Sequence, residues 1–249
     1  MQTIRTDIQA LNKQEPAPFS DVIIHNFDTY LRANNIYLKD EKEHFVAPIP
    51  LERVIGIDQM YGDDATWGDC LEGRWLKRLT HNLTDLNRNP DYYLSDAEMD
   101  GLSFNKVGEN YFIRTGKHRT IIAKFLAHFN PEVFSGRSPF QQASVTEYFV
   151  DTEFTDLKRR FEEIAKKYPA LSFTVQHTTS EGDTSFLMVR ELDSSRNFAG
   201  FSRSQANEIL SALENPSVMS KWKWWHSDYC PNDIYSFIPY SACLKNLFK

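Results

Sequence analysis

An α+β fold, a mixed sheet with helices packed against it, is what this sequence predicts, and two patterns predict it. Short runs rich in β-branched and aromatic residues, such as Tyr111–Ile113 and Ser144–Val150, have the length and composition of strands. Longer stretches following them, Ile121–Phe129 and Phe154–Tyr168, place apolar residues every three to four positions, the period of a helix with one buried face.

Along the chain, residues 1–18 end in EPAP and read as an extended arm or a loop. Ser20 or Asp21 then caps a helix whose Val22, Ile23, Phe27, Tyr30 and Leu31 share one face. Phe45–Ile57 alternates around two prolines and reads as a short edge strand. Asp58–Cys70, rich in Gly and Asp, is a loop, followed by a helix with Leu71, Trp75, Leu79 and Leu83 on one side. Asn87–Tyr93 is a turn, and Leu94–Phe104 a short helix or loop. After the helix carrying Ile121, Ile122, Phe125, Leu126 and Phe129, Asn130-Pro131 is the stop signal. Ser144–Val150 is a returning strand, Phe154–Tyr168 a helix burying Leu157, Phe161 and Ile164, and Leu171–Val175 with Ser185–Val189 a hairpin. Ser202 caps a last helix burying Ile209, Leu210 and Leu213. The organisation expected is an N-terminal arm and helix (1–45), a core (46–152) and a C-terminal α/β extension with an aromatic tail (153–249).

The 249 residues, 41% hydrophobic and 14% aromatic, suit a globular chain with a sizeable core. A net charge of −6 excludes a global positive field, so any contact with DNA or RNA must be local. Cys70, Cys230 and Cys243 fit neither a zinc ribbon nor a disulfide framework, and reduced thiols are expected. No signal-like apolar run opens the sequence, and no segment approaches the ~18 apolar residues of a membrane span, so a cytoplasmic protein with no membrane partner is expected.

The chemistry concentrates in Glu109–Phe125. A strand ends in Gly116, which can adopt the φ of a sharp turn, and a helix begins whose first N–H groups lack intrahelical acceptors. Lys117, His118 and Arg119 surround that point with positive charge, Arg119 as a planar fork, while Thr115 and Thr120 carry hydroxyls nearby. Such a corner suits a phosphate group held by Gly116, Lys117, His118, Arg119 and Thr120, although basic surface turns of this shape also occur without a ligand. His118 titrates near neutrality and suits acid–base work or a structural helix-start role, and Arg119 suits charge developing on a transferred phosphoryl group. Arg114 is expected to face solvent.

The segment YFIRTGKHRTIIAKFLA resembles the signature of the ParB/sulfiredoxin-like superfamily, in which a strand ends in a G-x-H-R or G-E-R-R block and a helix follows with a small residue, here Ala123. IPLERVIGI and SVTEYFVD resemble the strands that open and close those domains, so the resemblance spans roughly residues 46–152. It implies a ParB/sulfiredoxin-like core with a phosphate cradle. Sulfiredoxins carry a cysteine where this chain has Lys117, and sulfinic acid reduction has no attacking group without it. The partition branch binds a nucleotide triphosphate and adds a helix-turn-helix domain, whereas a hairpin is expected here. The implied function is processing of a nucleotide or nucleic-acid phosphate, as an NTPase or nuclease using ATP or CTP, the nucleoside triphosphate being the expected partner. The rivals are a non-catalytic DNA- or RNA-binding module and a small-molecule kinase using ATP.

Such chemistry calls for Mg²⁺ and hard oxygen ligands, and Asp58, Asp63 and Asp64 are the candidates, with Asp58 also the candidate catalytic carboxylate. Gln59 can orient a water, and Glu52 and Glu109 are reserve carboxylates; turn formation is the competing role for the loop aspartates. Lys221–His226 mixes Trp and Lys, suited to stacking single-stranded bases or, alternatively, to burial of its tryptophans.

Overall fold

The computed structural model describes residues 4–59, 64–97, 99–169, 171–192 and 198–214, which divide into two compact units, 1–150 and 151–249. In the first unit the chain runs α1 (Ile8–Gln14), β1 (His25–Asn26), α2 (Phe27–Ala33), β2 (Leu38–Ala47), a 3₁₀ turn (Leu51–Arg53), β3 (Val54–Ile57), α3 (Trp67–Leu71), α4 (Leu79–Arg88), a second 3₁₀ turn (Pro90–Leu94), β4 (Ser103–Val107), β5 (Asn110–Thr115), α5 (Lys117–Phe129), α6 (Pro131–Phe134) and β6 (Ala143–Val150). The sheet is mixed, in the order β1-β3-β5-β4-β6-β2. β1, β3 and β5 run parallel, β4 is antiparallel to β5 and parallel to β6, and β2 closes the far edge antiparallel to β6. The α+β class with helices packed on a mixed sheet is therefore as the sequence predicts.

One face of the sheet carries the main core. Val54, Ile57, Phe104, Ile113 and Val145 meet Ile121, Ile122, Phe125 and Leu126 of α5, with Trp67 and Leu71 of α3 and Leu79 and Leu83 of α4 around them. α5 is buried along most of its length, which explains why its apolar face is wide. The opposite face packs Phe27 of α2 edge-on against Phe112 at 5.1 Å, with Val107 beside them. Gly56 permits this second layer, since a Cβ there would overlap both the His25 carbonyl oxygen and the Phe112 ring.

Several expectations are corrected. The helix expected from Ser20 or Asp21 starts only at Phe27, where the Asn26 side chain accepts from Thr29 N, and Val22 and Ile23 are exposed. The extended arm expected over residues 1–18 carries the helix α1, and residues 1–45 supply β1 and most of β2 to the sheet. Phe45–Ile57 is two strands, not one, and β3 lies inside the sheet; the Pro48 and Pro50 between them cannot donate to a ladder. Asp58–Cys70 is not wholly loop: Thr66 accepts from Asp69 N and caps α3. Leu71–Leu83 is interrupted, Gly73 at φ 83° following α3 and α4 beginning at Leu79. Asn130 ends α5 as expected, but Pro131, preset for a first helical position, starts the short α6.

The second unit contains α7 (Thr152–Lys167), the antiparallel strands β7 (Leu171–Val175), β8 (Leu187–Glu191) and β9 (Phe198–Phe201), and α8 (Arg203–Glu214). The predicted hairpin and both helices are present, with Leu157, Phe161, Ile164, Ile209, Leu210 and Leu213 buried as expected. Lys221–His226, Cys230 and Cys243 lie outside the described residues. Among the described residues no helix is long and apolar enough to cross a membrane.

Asp151 ties this unit together. Its buried carboxylate accepts Phe154 N at 3.0 Å, capping α7, and both arms of the Arg203 guanidinium at 2.6 and 2.7 Å, while His177 lies 3.3 Å away. Burial alone would push this carboxyl up, but Arg203, the Phe154 amide and His177 override it and pull it down to about 2. In the unfolded chain the same group titrates near ~4, so the unfolded state takes up a proton first as pH falls. The stabilisation is therefore complete above about pH 4 and lost on the way down to about 2. Thermal melts across that range should show the loss, and Asp151→Asn should be destabilised by roughly 3–5 kcal/mol at neutral pH with a flattened acid limb. Gly56→Ala should cost about 1–3 kcal/mol through overpacking, read from the denaturant midpoint, with the helical circular dichroism preserved.

Candidate functional site

The corner Thr115–Thr120 is built as a strand-to-helix turn. Gly116 sits at φ 88°, ψ 25°, in the left-handed region where a Cβ is unfavourable, and a Cβ there would press on Leu102 at 2.5 Å. The ladder of α5 opens with Thr120 N donating to Gly116 O at 3.0 Å, so the amides of Lys117, His118 and Arg119 precede it at the positive end of a thirteen-residue helix. The corner stands at the carboxyl end of β5, beside the carboxyl end of the parallel β3, where ligands collect in open α/β sheets.

The β3 end is fixed from both sides. Asp58 N donates to Ile113 O at 2.9 Å, and Asn26 Nδ2 donates to Asp58 O at 3.1 Å. The next residue, Gln59, accepts from Lys117 Nζ at 2.6 Å, so the β3 end and the head of α5 touch. The β3 end at Asp58 and Gln59 and the turn at Gly116 and Lys117 are thus brought together.

The other candidates are placed differently. Arg119 does not point its fork above the corner: Nη2 donates to Asp100 O at 2.8 Å and to Gly101 O at 2.6 Å, and Nη1 to Tyr92 Oη at 3.1 Å. It clasps the loop before β4 to the first turn of α5. Thr120 is fully buried and its hydroxyl donates to Gly116 O at 3.1 Å, while the Thr115 hydroxyl meets Ser103 Oγ at 2.6 Å. Burial pushes the His118 imidazole below its usual range, and the cations of Arg78 and Lys117 push the same way. Its Nε2 is buried without a hydrogen-bond partner among the described residues, while the residue as a whole is half-buried. Arg114 faces solvent as expected.

Among the carboxylates, Asp64 lies 3.5 Å from Arg74, which also holds Asp69 at 3.2 Å, and Asp63 is outside the described residues. Glu52, in the 3₁₀ turn ahead of β3, and Glu109, ahead of β5, lie at the ends of those strands away from the corner. For Glu109 the six residues of β5 put roughly 20 Å between them. Among the described residues no three His, Cys, Asp or Glu form a metal-binding group. Burial, aided by Asp69, pushes the Cys70 thiol up to about 12, which leaves it unreactive.

Lys124 is a residue that sequence reasoning passed over. It is buried on α5, and its ammonium donates to Leu51 O at 2.5 Å and Val54 O at 3.1 Å while lying 4.9 Å from the ring centres of both Phe19 and Trp67. Burial lowers it to about 8, with the Glu52 carboxylate opposing that shift. A lysine at a position of the apolar period was the available signal, since a cation there demands buried acceptors.

Beside the corner a cleft of about 340 Å³ opens between α4 and the second 3₁₀ turn, lined by Asn82, Asp85, Asn89, Tyr92 and Arg119 among others. A second hollow of about 490 Å³ shares Asn89, Tyr92 and Arg119 with it and continues to Asp100.

Comparison with protein families, with curated proteins and with solved structures finds no match.

Because the Arg119 fork holds two backbone carbonyls and a tyrosine, Arg119→Ala should destabilise the ligand-free protein by about 1–3 kcal/mol. Hydrogen exchange should quicken in residues 99–103, and Arg119→Lys, which lacks the fork, should restore only part of the protection.

Proposed function

We propose that the Gly116–Lys117 corner holds a phosphate group and that this chain processes a nucleotide or nucleic-acid phosphate, in keeping with its resemblance to the ParB/sulfiredoxin-like superfamily. The observation that carries this reading is the contact of Lys117 with Gln59, which sets an ammonium and the amides heading α5 beside Asp58 at the ends of two parallel strands. Phosphate oxygens would take the amides of residues 117–119 and the Lys117 ammonium. Arg119 acts at one remove, lending positive charge from beside the turn while it holds the loop. His118, its charged form disfavoured by burial, is left out of the phosphate contacts.

A Mg²⁺ ion fits this arrangement only as one shared between protein and ligand. Asp58 is the acidic residue at the β3 end nearest the corner, Asp64 is engaged by Arg74, and Mg²⁺ commonly rests on one or two carboxylates plus phosphate oxygens. There it would neutralise charge developing on the phosphoryl group. The residues of this chain bind and orient the phosphate, and Asp58 is the remaining candidate for a catalytic carboxylate.

Calorimetric titration with ATP, CTP and single-stranded DNA, each with and without Mg²⁺, tests the reading. A nucleotide should bind, and Lys117→Ala should weaken it about tenfold, the order expected for one charged hydrogen bond, with the melting temperature little changed. Unaltered affinity in that variant would exclude the corner as the site. DNA binding with a steep salt dependence and no nucleotide binding would instead favour a nucleic-acid-binding module. Phosphate transfer from bound ATP to a small alcohol would identify a kinase.

A further inference from the structure

The cleft between α4 and the second 3₁₀ turn opens onto the same guanidinium that flanks the phosphate corner. Nη2 of Arg119 lies 3.5 Å from where a Gly116 Cβ would stand, so the guanidinium that lines the cleft also packs against the glycine turn. The acceptors of Arg119 are two carbonyls and a phenol, all neutral, and among the described residues no carboxylate pairs with it. The cleft itself is unsuited to a phosphate, because Asp85 lines it, and Asp91 and Asp100 line the hollow that continues it. What remains is a wall formed by Tyr92 and Tyr93, whose rings stand edge to face 5.0 Å apart, two amide side chains with paired donors and acceptors, and a carboxylate able to accept from hydroxyls. At about 340 Å³ the volume is that of a small-molecule site.

On the basis of the phosphate reading above, we infer that this cleft takes the nucleoside of a nucleotide whose phosphates occupy the corner. The Tyr92 ring offers a face for a base, Asn82 and Asn89 offer edges for its polar groups, and Asp85 accepts from the ribose hydroxyls, as acidic residues do in other nucleotide sites. Arg119 lies between the two halves of the ligand and compensates the first phosphate. The chain would then recognise a free nucleotide in preference to an inorganic polyphosphate.

The test compares ATP and CTP with inorganic triphosphate on the full chain by calorimetry. At least one nucleotide should bind ten times more tightly than triphosphate. Asn82→Trp, which fills the cleft from the half-buried surface of α4, should remove that advantage and leave triphosphate affinity unchanged. Asn89→Ala, a milder change whose melting temperature should match the parent, should remove part of it. Equal affinity for nucleotide and triphosphate in the parent protein, or an advantage that survives both substitutions, overturns the nucleoside site while the phosphate corner stands. Absence of triphosphate and nucleotide binding alike overturns both.

Discussion

The placing of the candidate site depends on one buried cation. Lys124 reaches from the middle of α5 to the carbonyls of Leu51 and Val54, which bracket the 3₁₀ turn leading into β3, and two aromatic rings enclose it. A charge this deep persists only where acceptors and ring faces replace its water. Those acceptors belong to the start of the strand whose far end carries Asp58 and Gln59. The same ammonium thus fixes the register between α5 and β3, and with it the meeting of Lys117 and Gln59 at the other end of the helix and strand. Local turn geometry at Gly116 shapes the corner, and Lys124 decides what the corner faces.

A division of labour among the basic residues follows. The cluster Lys117-His118-Arg119 has the look of three equivalent phosphate ligands, but each side chain leaves the helix in a different direction, about 100° apart at 3.6 residues per turn. Only Lys117 reaches the β3 end. His118 buries its Nε2, where burial disfavours the charged form, and Arg119 reaches back to the loop ahead of β4. Adjacent residues on a helix cannot all address one point, so the amides, which do converge, bear the greater part of any phosphate contact.

What was legible in the sequence was whatever repeats with a local period. α5, α7 and α8 showed their buried faces, and β6 and β7 their composition, because each packs against a single well-defined layer. Most of β2 escaped because in this edge strand Lys39–His44 are exposed, so that stretch carries charge in place of alternation, and only its end from Phe45 was read as strand. β1 is too short to have a pattern, and the helix expected over it was an accident of spacing in Val22 and Ile23. Of the site, the glycine corner and its neighbour Asp58 could be read in advance. The outward reach of Lys117 to Gln59, the clasp made by Arg119 and the cleft over Tyr92 could not, since each joins segments far apart in sequence.

The charged edge has a consequence for how the chain behaves in a crowded solution. Among the described residues β2 forms the border of its sheet, and a border strand offers backbone amides and carbonyls to any extended segment that meets it. Lys39, Asp40, Glu41, Lys42 and Glu43 surround that ladder with hydrated groups of both signs, and a second strand could dock only by stripping them of water. The residues that hid β2 from sequence reading therefore guard the sheet against uncontrolled growth into aggregates.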